Sequence, residues 1–170
     1  MIPIDDAHCP RDEEVESFIQ HYKSAASQKY DRIITRFACE LGHPKRNQET
    51  PLGNLIADIL RDSFGIDLML MGSGAIRSYS LGPVVHYADL VECLPYDDAV
   101  YMHKVTGAQL ERMLRHVLRD EAFLNITLEE AEENGRTRVL STSARDVVEE
   151  YLMVNQHLNR RVEGRLVVED

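Results

Sequence analysis

Three places in this 170-residue chain hold residue types at a spacing suited to chemistry. The first is Gly72-Ser73-Gly74-Ala75-Ile76-Arg77, which follows directly on the apolar run IDLMLM. Small residues at 72–75 let backbone N–H groups approach an anion, and the Arg77 guanidinium is a planar fork matched to phosphate or carboxylate. The second is Arg46, in the basic loop HPKR just before a helix N-terminus. The third is Tyr96, which follows Pro95 in CLPYDD and puts a phenol ring at a loop tip, where it can stack on a base. Together these residues suit an anionic ligand that carries a base. On spacing alone, two surface arginines and a half-buried tyrosine account for them equally well.

Other chemistries find less support. Gly72 and Gly74 give G-x-G, but Arg77 takes the place of the third glycine and SYSLGP breaks the helix that a dinucleotide loop needs behind it. The seven histidines show no H-x-x-x-H pair and no D-x-H pattern, and Asp5, Asp6 and His8 cluster near the start of the chain as solvated surface groups. There is no G-x-S-x-G and no context for a cysteine nucleophile. The sequence therefore assigns no catalytic residue and no metal ligand.

Charge narrows the ligand further. Against 19 Lys and Arg stand 29 Asp and Glu, a formal net charge of -10, which repels polyanions at long range and argues against nucleic acid as a partner. A small phosphorylated ligand stays compatible, because screening over about 8 Å lets a local pair of arginines override the global sign. Cys9, Cys39 and Cys93 are odd in number and lack C-x-x-C spacing, which favours a reducing, cytoplasmic setting. No apolar stretch approaches the roughly 20 residues of a bilayer span, and MIPIDDAHCPRDEE lacks the features of a signal peptide, so no membrane role is expected.

The elements that must position these residues alternate between helix and strand. From about Asp12 to Phe37, Val15, Phe18, Ile19, Tyr22, Ala26, Tyr30, Ile33, Ile34 and Phe37 form the stripe of one long amphipathic helix, whose apolar face must dock on something. TPLGNLIADILRDSFG has Thr50 as N-cap, Pro51 at the first helical position and Gly65 as its stop. IDLMLM, apolar on both faces, reads as a buried strand that delivers the glycine loop at its end. PVVHY reads as a strand, ADLVECL as a short helix and DAVYMHKV as a strand. Thr106 and Gln109 form a capping box ahead of TGAQLERMLRHVLRDEA, and Thr127 and Glu130 another ahead of LEEAEENG. A strand RTRVL, a helix around ARDVVEEYLMVNQHL and a closing strand GRLVVE complete a mixed α/β chain.

These motifs also carry a resemblance. The stretch from ETPLGNLIADILRDSFGIDLMLMGSGAIRSYSLGP to VTGAQLERML, together with YLMVNQHLNRRVEGRLVVE, resembles the C-terminal, substrate-binding domain of the 5′-nucleotidase family of metal-dependent enzymes. The resemblance implies a mixed α+β sheet flanked by helices over 41–170, with residues 1–40 as the linker helix region that joins it to an N-terminal metallophosphoesterase domain. It implies that Arg46, Gly72, Ser73, Gly74 and Arg77 hold the nucleotide and that Tyr96, where phenylalanine is more usual, stacks its base. Gly72 departs from the asparagine that usually leads the loop, and the strands and second stacking aromatic expected between Phe123 and Leu124 are absent from the sequence.

The function so implied is nucleotide recognition for hydrolysis of nucleoside 5′-monophosphates to nucleoside and phosphate. The divalent metal pair belongs to the N-terminal domain, so this chain by itself binds without hydrolysing. Relatives in the family are often exported, which runs against the cysteine argument for the cytoplasm. The alternative is a structural or oligomerisation module with a vestigial ligand site, whose long helix pairs with a second copy as a homo-dimer.

Overall fold

A computed structural model describes residues 12–120 and 137–165, with 116–120 as helix backbone. The chain is organised around α2 (Pro51–Phe64), and its sequence explains why. Thr50 accepts a hydrogen bond from Gly53 N at 3.2 Å, Pro51 opens the helix, and Gly65 closes it at φ 60°, a left-handed conformation that suits glycine. Between these signals Leu52, Leu55, Ile56, Ile59 and Leu60 are all buried, and they form the centre of the core. Helix α5 (Ala144–Val154) packs on α2 through Val148 and Leu152, while α3 (Tyr87–Cys93) adds Leu90 and Cys93.

Three antiparallel ladders surround these helices. β1 (Ile33–Arg36) pairs with β4 (Val84–His86), β2 (Leu41–Gly42) with β3 (Ser80–Leu81), and β5 (Val100–His103) with β6 (Thr137–Ser141). The last ladder leads to α4 (Gly107–Asp120), whose capping box forms as the sequence predicts: Thr106 N donates to Gln109 Oε1 and Gln109 N to Thr106 Oγ1. The fold is thus mixed α/β, as expected, but the described strands make three two-stranded ladders and not one sheet.

Two sequence expectations need correction. The helix expected over 12–37 ends early: α1 covers Glu13–Tyr30, and Ile33 to Arg36 are strand. Residues 30, 33, 34 and 37 fit helical spacing, yet the β-branched run Ile33-Ile34-Thr35 also suits a strand, and the ladder to Val84–His86 decides in its favour. Ile34 and Phe37 are core residues on that strand side, whereas no residue of α1 is buried and Phe18 stands 63% exposed. Among the described residues the last turn of α1 docks on α3, with Tyr30 5.5 Å from Tyr87 and the Lys29 ammonium 5.0 Å over the Tyr87 ring.

IDLMLM is not a buried strand. Residues 66–71 belong to no ladder, Leu68 and Leu70 are 47% and 38% exposed, and only Met69 and Met71 pack against the core. Apolar periodicity measures what a segment prefers to bury and does not supply the neighbouring strand that would cover its second face. The 123/124 junction, the Thr127–Glu130 capping box with its helix, and residues 166–169 of the closing strand lie outside the described residues, as do Asp5, Asp6 and His8.

The end of the described chain is strapped across α2. Glu49 accepts hydrogen bonds from the backbone N–H of Glu163 and Arg165, and Asp58, buried on α2, accepts from Arg160 Nε and from both terminal nitrogens of Arg165. A carboxylate this buried is tolerated because guanidinium donors take its oxygens. Burial raises its carboxyl pKa, but hydrogen bonds from Arg165 and Arg160, aided by the charges of Arg165 and Arg61, hold it below the usual carboxylate range.

Candidate functional site

The glycine loop begins where the run 66–71 ends. Ser73–Ala75 form a single 3₁₀ turn, and Ile76, fully buried, pins its far side into the core. Beyond it Arg77 N donates to the carbonyl of Cys93 at 2.9 Å, tying the loop to the end of α3. The loop is fixed from the other side by His43, a residue that the sequence reading did not single out. His43 is 5% exposed, with Nδ1 2.7 Å from Thr50 Oγ1 and Nε2 3.1 Å from the Ser73 carbonyl. A carbonyl only accepts, so Nε2 donates to it, and in the neutral ring Nδ1 accepts a hydrogen bond from the Thr50 hydroxyl. Thr50 Oγ1 remains free to accept from Gly53 N, so one imidazole couples the glycine loop to the cap of α2.

Arg46 is brought to the same loop. Its carbonyl accepts from Ser73 Oγ, and its Nη1 lies so close to Gly74 that a Cβ added there would sit 3.9 Å away. Arg77 is exposed, and its guanidinium carbon stands 5.9 Å from the centroid of the Tyr96 ring, in cation–π range. Gly72 and Tyr96 both line a cleft of about 210 Å³ whose walls include Ile56, Leu60 and Leu94. The six residues singled out in the sequence therefore fall in two contacts, Arg46 with Ser73 and Gly74, and Arg77 with Tyr96, joined through the cleft shared by Gly72 and Tyr96.

This surface offers two guanidinium forks, a glycine-bearing backbone and an exposed aromatic face. Among the described residues no group of three His, Cys, Asp or Glu is placed to hold a metal ion. The loop after Tyr96 has anchors that sequence spacing did not show: Asp97 is bound by Ser143 and Arg145, from the start of α5.

The family model described as 5′-nucleotidase, C-terminal domain, matches residues 33–163. The chain belongs to this family. The match begins at the first residue of β1 and leaves α1 outside it. Members of this C-terminal domain family pair with an N-terminal metallophosphoesterase domain. A curated relative, Endonuclease YhcR of Bacillus subtilis (strain 168), is 25% identical over 116 residues, which cover 67% of this chain. Those residues amount to 9% of the relative, so the chain corresponds to a small part of that protein.

Proposed function

We propose that this 5′-nucleotidase C-terminal domain recognises a mononucleotide, with Arg46 and Arg77 holding its anionic oxygens and Tyr96 stacking its base. The observation that carries the reading is the placement of the Arg77 guanidinium 5.9 Å from the Tyr96 ring, beside a loop that Arg46 covers from the other side. Hydrolysis of the phosphate ester belongs to the metallophosphoesterase domain, where a divalent metal pair would activate water and polarise the phosphoryl group. This chain supplies orientation. With a net charge of -10, a mononucleotide suits it better than a polynucleotide.

Affinity is modest by the same physics. One charge-assisted hydrogen bond contributes about 1.5–3 kcal/mol and one stacked base about 1–3 kcal/mol, less the loss of translational freedom. The gross sum of about 2.5–6 kcal/mol spans the roughly 4.1 kcal/mol of a 1 mM dissociation constant before that loss, so the isolated half-site binds at about millimolar affinity or more weakly. Titration of AMP into the ¹⁵N-labelled chain should shift the amides of residues 72–77 and 96 saturably at millimolar ligand. Saturable shifts that persist unchanged in an Arg77→Ala, Tyr96→Ala double variant would sink the assignment.

The exposed apolar stripe of α1 favours a second reading, an interaction module that pairs with another copy through Val15, Phe18 and Tyr22. Light scattering across concentration separates the two. Tight dimerisation without any response to nucleotide supports the second reading.

A further inference from the structure

Tyr96 sits at the tip of a loop, 61% exposed, with the guanidinium carbon of Arg77 5.9 Å from its ring centroid. The backbone on either side of it is nevertheless held. Two residues before it, the carbonyl of Leu94 accepts from Arg145 Nη1 at 3.1 Å. One residue after it, Asp97 accepts from Arg145 Nη2 at 3.0 Å through one carboxylate oxygen and from Ser143 Oγ through the other. Two residues after it, the carbonyl of Asp98 accepts from Ala144 N at 2.8 Å. Three consecutive residues at the start of α5 therefore grip the loop on both sides of Tyr96.

Asp97 also has φ 53°, in the left-handed region that few residues other than glycine, asparagine and aspartate enter readily. That conformation turns the chain immediately after Tyr96, and the Arg145 fork fixes the carboxylate that the turn presents. The Arg145 side chain is only 16% exposed, and its Nε is buried without a hydrogen-bond partner among the described residues. Its terminal nitrogens both go to the loop. The fully buried residues of α5, Val148 and Leu152, lie further along, and Ala144 beside Arg145 also packs against the core.

We infer that Arg145, acting through Asp97 and the Leu94 carbonyl, is a positioning residue that pre-sets Tyr96 to receive the base of a nucleotide, an inference that rests on the mononucleotide reading above. A bidentate guanidinium suits this role, because it fixes the direction of the loop as well as its distance. The clasp has no hydrogen bond to Arg46 or Arg77, whose backbones are held by the glycine loop and by Cys93. Loss of the clasp therefore weakens recognition of the base selectively.

The test compares AMP with ribose 5-phosphate, which lacks the base, in amide-shift titrations of the whole chain and three variants. Arg145→Ala and Asp97→Gly each remove the clasp. Asp97→Gly does so without backbone strain, because glycine adopts the positive φ freely. Asp97→Asn keeps a hydrogen-bond acceptor and tolerates the same φ. The expected result is an AMP dissociation constant raised about three- to tenfold in the first two variants, the cost of ordering a freed side chain on binding. Ribose 5-phosphate binding should stay within about twofold, and Asp97→Asn should retain most of the AMP affinity.

Equal losses for both ligands would show a general structural role and overturn the inference, as would unchanged AMP binding in Arg145→Ala. If Arg145→Ala does not fold, Asp97→Gly decides by the same comparison. Absence of AMP binding by the unaltered chain overturns the mononucleotide reading and this inference together. Normal AMP binding without a selective loss in the variants overturns this inference alone.

Discussion

Replacement of Asp58 by asparagine tests how the end of the described chain is held on α2. The carboxylate is 4% exposed and takes hydrogen bonds from Arg165 at 2.7 and 3.0 Å and from Arg160 at 3.1 Å, with Arg61 3.2 Å away. Removal of one partner from a buried ion pair costs about 3–5 kcal/mol when the remaining charge stays dry. Here the guanidinium side chains keep 27–38% exposure and recover part of their hydration, so the expected loss is about 2–3 kcal/mol. For a chain of this length that corresponds to a fall of about 5–10 °C in Tm. The sign with pH follows from the depressed carboxyl pKa of Asp58. Its stabilisation is complete above the unfolded-state value of about 3.9 and is lost as pH falls through the lower, folded-state value. Urea unfolding of wild type and Asp58→Asn should therefore differ by about 2–3 kcal/mol at about pH 7 and by clearly less at about pH 3. A gap below about 0.5 kcal/mol at neutral pH, or one that does not change on acidification, would refute the reasoning.

Gly82→Ala should destabilise the fold by about 2–4 kcal/mol in the same assay, because it combines a φ of 92° with a new Cβ 2.7 Å from the ring of buried Phe37. His43→Ala removes the link from Ser73 to Thr50 and should cost about 2–3 kcal/mol; amide shifts confined to 72–74 and the start of α2 would map the lost contact. Burial pushes the Cys93 thiol up to about 11 despite hydrogen bonding from Ser78. In thiol-reagent labelling at about pH 8, exposed Cys39 should therefore react quickly, and Cys93 only when urea opens the core.

How far the sequence reached depended on whether the deciding interaction was local. The cap at Thr50, the stop at Gly65 and the Thr106–Gln109 box are written within a few residues, and all three formed as predicted. The end of α1 depended on a ladder between Ile33–Arg36 and strand residues about 50 positions later, which no helical spacing can report. IDLMLM looked like a central strand because its composition is apolar, but the described residues provide no neighbour to pair with it. The candidate site shows the same division. By type and spacing its glycines, arginines and loop-tip tyrosine suited an anion and a base no better than an ordinary surface, and the family resemblance singled them out. What holds them, His43 to Ser73 across 30 residues and Arg145 to Asp97 across 48, is tertiary and left no mark in spacing.

The central claim is that Arg46, the 72–77 loop and Tyr96 form one mononucleotide-binding face. Intermolecular nuclear Overhauser effects between AMP and the labelled chain test it most directly. Cross-peaks from the adenine ring protons to the Tyr96 ring, accompanied by saturable shifts of the 72–77 amides, are the predicted result. Base protons that contact some other surface, or no saturable response at millimolar AMP, would contradict it.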